Sequence, residues 1–101
     1  MEVTENELHW HAFDRVFLTW PQEVIRAKIP GMVRVHVTVS EAGLVIKASA
    51  SGSPPFFNQE NLKAAAEHAA LQWRFHPFTS KGTPVRVRGV ITFKIEFRDK
   101  S

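Results

Sequence analysis

Residues 33–39 place valine at every odd position, Val33, Val35, Val37 and Val39, and Arg34, His36 and Thr38 between them. No other stretch constrains the fold as tightly. β-Branched residues fit a pleated strand, and a strict two-residue period puts all four valines on one face. A slip of one residue in pairing would move the whole apolar set into water, so the register of this strand is specified by its own pattern. A second alternation runs over 85–97. Val85, Val87, Gly89, Ile91, Phe93, Ile95 and Phe97 share one side, and Arg86, Arg88, Val90, Thr92, Lys94 and Glu96 the other. Two such half-apolar strands need a common apolar cover.

The segments between them supply it. After residue 39 comes a short turn in which Gly43 can take positive φ, and a weaker strand follows, so 33–50 reads as a hairpin. Gly52, Pro54 and Pro55 make the next stretch a loop. Asn58 suits an N-cap, Glu60 suits the positive first turn, and an alanine-rich helix runs on from Gln59. Leu62, Ala65, Ala66, Ala69 and Trp73 recur at helical spacing, and Pro77 stops the helix. Small alanines let it lie close to a sheet. Trp73 and Phe75 then fill the wider gap at its end, while Arg74 points outward or bonds the last carbonyls. Residues 79–84 form a second loop.

Upstream, Thr19 and Gln22 have the spacing of a capping box, Pro21 fits a first helical turn, and Gly31 closes the segment, which predicts a short helix over about 21–28. Leu8, Phe13, Val16 and Phe17 suggest a further amphipathic element of unspecified type. The order helix, strand, strand, helix, strand predicts an α+β fold: a small antiparallel three-stranded sheet with helices packed on one face. Val35, Val37, Leu62, Ala66, Trp73, Phe75, Ile91 and Phe93 are its expected core. Residues 1–19 read as an N-terminal extension and 20–101 as the domain.

At 101 residues the chain has room for one small core. It contains no cysteine, which excludes disulfides, thiolate metal sites and cysteine nucleophiles. The net charge of +3 is compatible with acidic partners but too small to imply nucleic acid. No apolar run approaches the roughly 20 residues of a membrane span. The first residues are acidic at Glu2, Glu5 and Glu7 and do not resemble a signal peptide. If Met1 is the natural start, a cytoplasmic location is expected; otherwise an anchor or signal lies outside this chain.

Catalytic residues are poorly supplied. The two aspartates, Asp14 and Asp99, lie near the ends, and no nucleophile elbow, phosphate loop or paired-carboxylate pattern occurs. His9 and His11 would share a face if extended and form half of a metal site, but nothing at ligand spacing completes it. No enzyme activity, metal or cofactor is expected. Phe93 and Phe97 lie on the apolar face, away from the basic side chains of the last strand, whereas a nucleic-acid-binding sheet exposes its aromatics beside basic groups. Nucleic acid is therefore not an expected partner.

Several features, in this order and spacing, resemble the TonB C-terminal domain family. They are Trp20-Pro21, Ala27 and Ile29 leading to Gly31, the valine strand, Gly43 with Val45, and Ser51-Gly52. An alanine-rich helix ending in Trp73, Arg74, Phe75 and Pro77 follows, then Gly82, Pro84 and Val85, and an aromatic strand. The match runs from Trp20 to Phe97. Trp20 stands where the family usually has tyrosine, the second strand is short, the loop and helix are longer by about a turn, and no anchor or proline-rich spacer precedes the match.

The resemblance implies a non-catalytic, cofactor-free domain at the periplasmic end of an inner-membrane-anchored energy transducer. Such a domain grips the TonB box of outer-membrane TonB-dependent receptors. It couples them to an inner-membrane proton-channel complex through the anchor region. The residues supply a mechanism. The outer edge of the 85–97 strand can accept an extended peptide by β-augmentation. The expected peptide-binding residues are Trp20, Pro21, Arg86, Arg88, Val90, Thr92, Lys94 and Glu96. Trp20 serves either this groove or the core. An open edge also permits a homodimer by strand exchange. The alternative reading is a stand-alone or sensor-linked adaptor that uses this fold for another protein partner.

Overall fold

The structure is a computed structural model and describes residues 1–18, 20, 22, 26, 31–52 and 60–95. The valine strand, β2 (Gly31–Val39), is the centre of the main sheet, flanked by β3 (Val45–Gly52) and β7 (Val87–Ile95). Both pairings are antiparallel. Val35 faces Ile91 on one side and Ala50 on the other. The α+β fold with its three-stranded antiparallel sheet is thus present.

The alternation is realised residue by residue. Val33, Val35, Val37 and Val39 are buried, as are Val87, Ile91 and Phe93 opposite them. Arg34, His36 and Arg88 lie exposed on the other face. Full burial of a side chain of this size contributes roughly 1.5–3 kcal/mol, so the odd face of the sheet dominates the energetics. Helix α2 (Glu60–Leu71) covers it with Leu62, Ala66, Ala69 and Ala70, all buried. Trp73, Phe75 and Phe78 complete the same cluster.

The helix ends at Leu71, six residues before Pro77. Its last turn tightens as the Gln72 and Trp73 amides donate to Ala69 and Ala70. Extended structure then takes over: β4 (Arg74–Phe75) pairs antiparallel with β1 (Ala12–Asp14). Arg74 donates back to the carbonyl of Leu71 at 3.4 Å, bonding the helix end. Between β4 and β7, a two-residue turn of Lys81 and Gly82, both at positive φ, joins β5 (Thr79–Ser80) to β6 (Thr83–Pro84). Val85 and Arg86 fall outside β7.

Residues 1–18 wrap this body. Helix α1 (Glu5–His11) starts at a full capping box in which Thr4 and Glu7 bond reciprocally. Its one buried side chain, Leu8, joins the core. Of the other apolar residues expected in this region, Val16 packs against the core, while Phe13 and Phe17 are 60% and 87% exposed. The helix expected over about 21–28, with Thr19 and Pro21, lies outside the described residues apart from Gln22 and Arg26. Asn58 also lies outside them.

Candidate peptide-docking edge

In an antiparallel ladder each residue directs its N–H and C=O to one side, and successive residues alternate. The Arg88 N–H donates to the Met1 carbonyl at 2.8 Å, and the Arg88 carbonyl accepts from Val3 at 2.9 Å. Arg88 therefore faces away from β2. By alternation so do Val90, Thr92 and Lys94, which makes these four residues the outer edge of β7.

That edge is not bare. Residues 1–3 lie along it as a short parallel strand, with Glu2 opposite Arg88. The Glu2 carboxylate reaches the Arg88 guanidinium at 3.4 Å. Further along, Glu5 accepts the Thr92 N–H at 2.9 Å with one oxygen and the Thr92 hydroxyl at 2.9 Å with the other. The unpaired edge expected from the sequence is corrected here: an extended segment of the same chain already uses part of it. Val90, between the two attachment points, makes no outward main-chain hydrogen bond among the described residues.

Gly89 explains how the segment approaches so closely. A Cβ at Gly89 would come within 2.6 Å of Leu8 Cδ1 and 3.3 Å of Val3 Cγ2. The missing side chain is the seat into which α1 and Val3 settle.

Beyond Thr92, the edge opens into a cleft of about 260 Å³ lined by Trp20, Phe17, Trp73, Thr92, Phe93 and Lys94, among others. Three expected peptide-binding residues, Trp20, Thr92 and Lys94, thus gather at one place. Trp20 is half-buried and packs against the core while lining this cleft. Trp73 floors it, with its indole N–H held by the Val16 carbonyl at 2.9 Å.

The other expected residues are placed elsewhere or not described. Arg88 and Val90 belong to the edge but line a separate depression of about 480 Å³ with Glu2, His36, Thr38 and Lys47. Arg86 is turned to the β2–β3 turn, where it binds Glu41 at 3.2 Å. Its guanidinium, after a bond from Glu41's backbone, helps hold the Glu41 carboxyl below the usual carboxylate range. Pro21 and Glu96 lie outside the described residues. Sequence reasoning missed Glu2, Val3 and Glu5. The Thr4–Glu7 capping spacing would have located the helix start and hence the extended segment before it.

His9 and His11 are helical, so they do not share a face as an extended pair would. His9 stands edge-on to Trp73 and His11 stacks on Phe78. Among the described residues no three metal-binding side chains gather, and no helix is long and apolar enough to cross a membrane.

The family model for the Gram-negative bacterial TonB protein C-terminal matches residues 18–98. The solution NMR structure of the Pseudomonas aeruginosa TonB CTD superposes with a TM-score of 0.66 at 19% sequence identity, covering 89% of this chain and 88% of that one. No curated protein matches.

Proposed function

Since the chain belongs to the family of Gram-negative bacterial TonB C-terminal domains, we propose that it is a non-catalytic peptide-binding domain of a TonB-like energy transducer. It takes up the TonB box of an outer-membrane receptor as an added strand on β7. It acts in the periplasm and is coupled to an inner-membrane proton-channel complex through an anchor region outside this chain.

One observation carries the reading: the outer edge of β7 already holds an extended segment by main-chain bonds at Arg88. An edge that accepts residues 1–3 has the exposure, straightness and donor–acceptor spacing that strand addition requires. The cleft at Trp20, Thr92 and Lys94 continues the same line and offers an apolar seat for a ligand side chain. Main-chain pairing supplies most of the affinity. The exposed cations tune it, at roughly 0.2–1 kcal/mol for each exposed pair.

The test is an NMR titration with a TonB-box-like peptide. Amide shifts concentrated on 88–94 and at Trp20 are expected. Shifts confined to Val45–Gly52 would move the site to the opposite edge, and no shift at millimolar peptide would sink the proposal. The Thr92 N–H faces outward, so Thr92→Pro removes a docking donor and no bond to β2. This variant should bind on the order of tenfold more weakly while keeping its circular dichroism spectrum.

A further inference from the structure

We infer that residues 1–5 are a built-in, exchangeable occupant of the docking edge, which the incoming peptide displaces; this rests on the β7 docking reading above. The segment holds the edge as a ligand would. It runs parallel to β7, exchanges two main-chain bonds with Arg88, sets Glu2 against the Arg88 guanidinium, and rests Val3 over Gly89.

Its hold is incomplete, for a structural reason. The chain turns into α1 at the Thr4 cap, so strand pairing stops after Val3. Thr92 is then met by the Glu5 side chain and not by main chain. A longer extended peptide continues straight past Val90 and Thr92, pairing with outward groups that the internal segment cannot reach together. The attachments it must break are exposed: Arg88 and Glu2 are 68% and 77% accessible at their side chains. The rest of the wrap can stay in place, because Leu8 is fully buried and β1 remains paired with β4. Thr4 is the hinge.

The internal occupant also describes the ligand it yields to. That ligand is an extended peptide parallel to β7, with an acidic residue at Arg88 and an aliphatic one at the Gly89 seat.

The experiment compares the full chain with two variants, Val3→Pro, which removes the donor to Arg88, and the double variant Glu2→Lys with Glu5→Gln. Two probes are titrated: a TonB-box-like peptide, and an acetylated peptide with the sequence of residues 1–5. Removing an internal occupant raises the apparent affinity of a competing ligand by the reciprocal of the open fraction. Both variants should therefore bind the first peptide on the order of tenfold more tightly than the wild type. In the wild-type complex the Glu2 and Val3 amides should move to free-chain positions. Equal dissociation constants for all three chains, with the Val3–Arg88 bond intact in the complex, would overturn the inference.

The two proposals separate cleanly. If the TonB-box-like peptide binds no chain but the acetylated peptide binds the variants at 88–92, the self-occupied edge stands and the receptor reading fails. If neither peptide binds any chain, both fall. If Val3→Pro does not fold, the double variant decides. If neither folds, the segment is a permanent part of the fold and not an exchangeable occupant.

Discussion

The main sheet has two edges, and the chain closes them by different means. At β7 it lays down backbone: residues 1–3 pair as a parallel strand, and Glu5 takes the Thr92 amide. At β3 it uses one side chain: Glu67 of α2 accepts the outward Ala50 N–H at 2.8 Å. Among the described residues each edge thus has one amide capped by a helix-borne glutamate, but only β7 gains an added strand. The side chains differ to match. Near Ala48 and Ala50 the β3 edge is small and lies under α2, whereas β7 presents Arg88 and Lys94 with an aromatic cleft at one end. A glutamate cap satisfies a donor and leaves nothing to exchange. A paired segment satisfies donors and acceptors together, and another strand can replace it. Of the two, the β7 arrangement is the one that suits the strand addition proposed above.

The N-terminal wrap over β7 is tied to the core at Trp73, where truncation should be most damaging. It is 4% exposed, meets His9 and Phe93 edge-on, and ties down Val16 through its indole N–H. Trp73→Ala should cost about 3–5 kcal/mol by urea unfolding. Because the N-terminal wrap is anchored there, amide exchange should accelerate at Arg88 and Thr92 more than at Ala50. A loss under about 1 kcal/mol, against the several expected for such a cavity, would refute the core assignment. Equal acceleration at both edges would refute the asymmetry.

Gly89→Ala comes next. The added methyl meets Leu8 and Val3, flexible side chains that can shift at some expense. A cost of about 1–3 kcal/mol is expected, typical of overpacking. The consequence should be confined to β7, with faster exchange at Arg88 and no change at Ala50. Unchanged stability and exchange would mean that the seat is looser than its geometry implies.

Glu67→Ala acts on the β3 edge. It strands the part-buried Ala50 N–H, at about 1–3 kcal/mol if water cannot reach the amide and less if it can. It also uncovers an edge of small residues, so sedimentation velocity should show self-association growing with concentration. Glu5→Ala leaves residues 1–3 in place on β7 and should stay monomeric under the same conditions. Association of both variants, or of neither, would remove the distinction between the edges.

These contrasts were unevenly legible in the sequence. The positions of β2 and β7 followed from alternation, because a one-residue slip would expose Val33, Val35, Val37 and Val39 together. The α2 stripe followed from helical spacing. The helix end did not: Pro77 was the visible stop signal, while the actual stop is set by tertiary pairing of β4 with β1, elements of two and three residues that carry no period. The occupied edge was hidden for a deeper reason. Main-chain pairing is indifferent to side-chain type, so residues 1–3 look like any solvated terminus. Only the Thr4–Glu7 spacing marked where extended chain becomes helix. Thr92 and Lys94 were placed on the outer edge by their phase on β7, and Trp20 stood between core and groove; all three line the cleft, and Trp20 also packs against the core. Arg86 was in phase too, but it precedes the strand and is claimed by Glu41.

A slight effect is expected at that last pair, which bridges the two sides of the sheet: Glu41 sits in the turn between β2 and β3, and Arg86 sits just before β7. The Glu41 carboxyl is held below its ordinary value of 4.5, first by a backbone hydrogen bond and then by the Arg86 guanidinium. A carboxyl depressed in the folded state adds stability above its unfolded value, and that stability is lost as pH falls through the folded one. Any contribution is therefore complete at neutral pH and disappears only below about pH 4.5. Both side chains are more than half exposed, so solvent screening keeps the effect slight. The sensitive observable is the Glu41 carboxyl resonance, whose midpoint should lie below 4.5 in the wild type and rise in Arg86→Gln. The backbone bond remains in that variant, so the return should be partial. A midpoint that ignores Arg86→Gln would show the turn and β7 to be electrostatically independent, leaving the main-chain ladders and buried side chains of β2 to join the two edges.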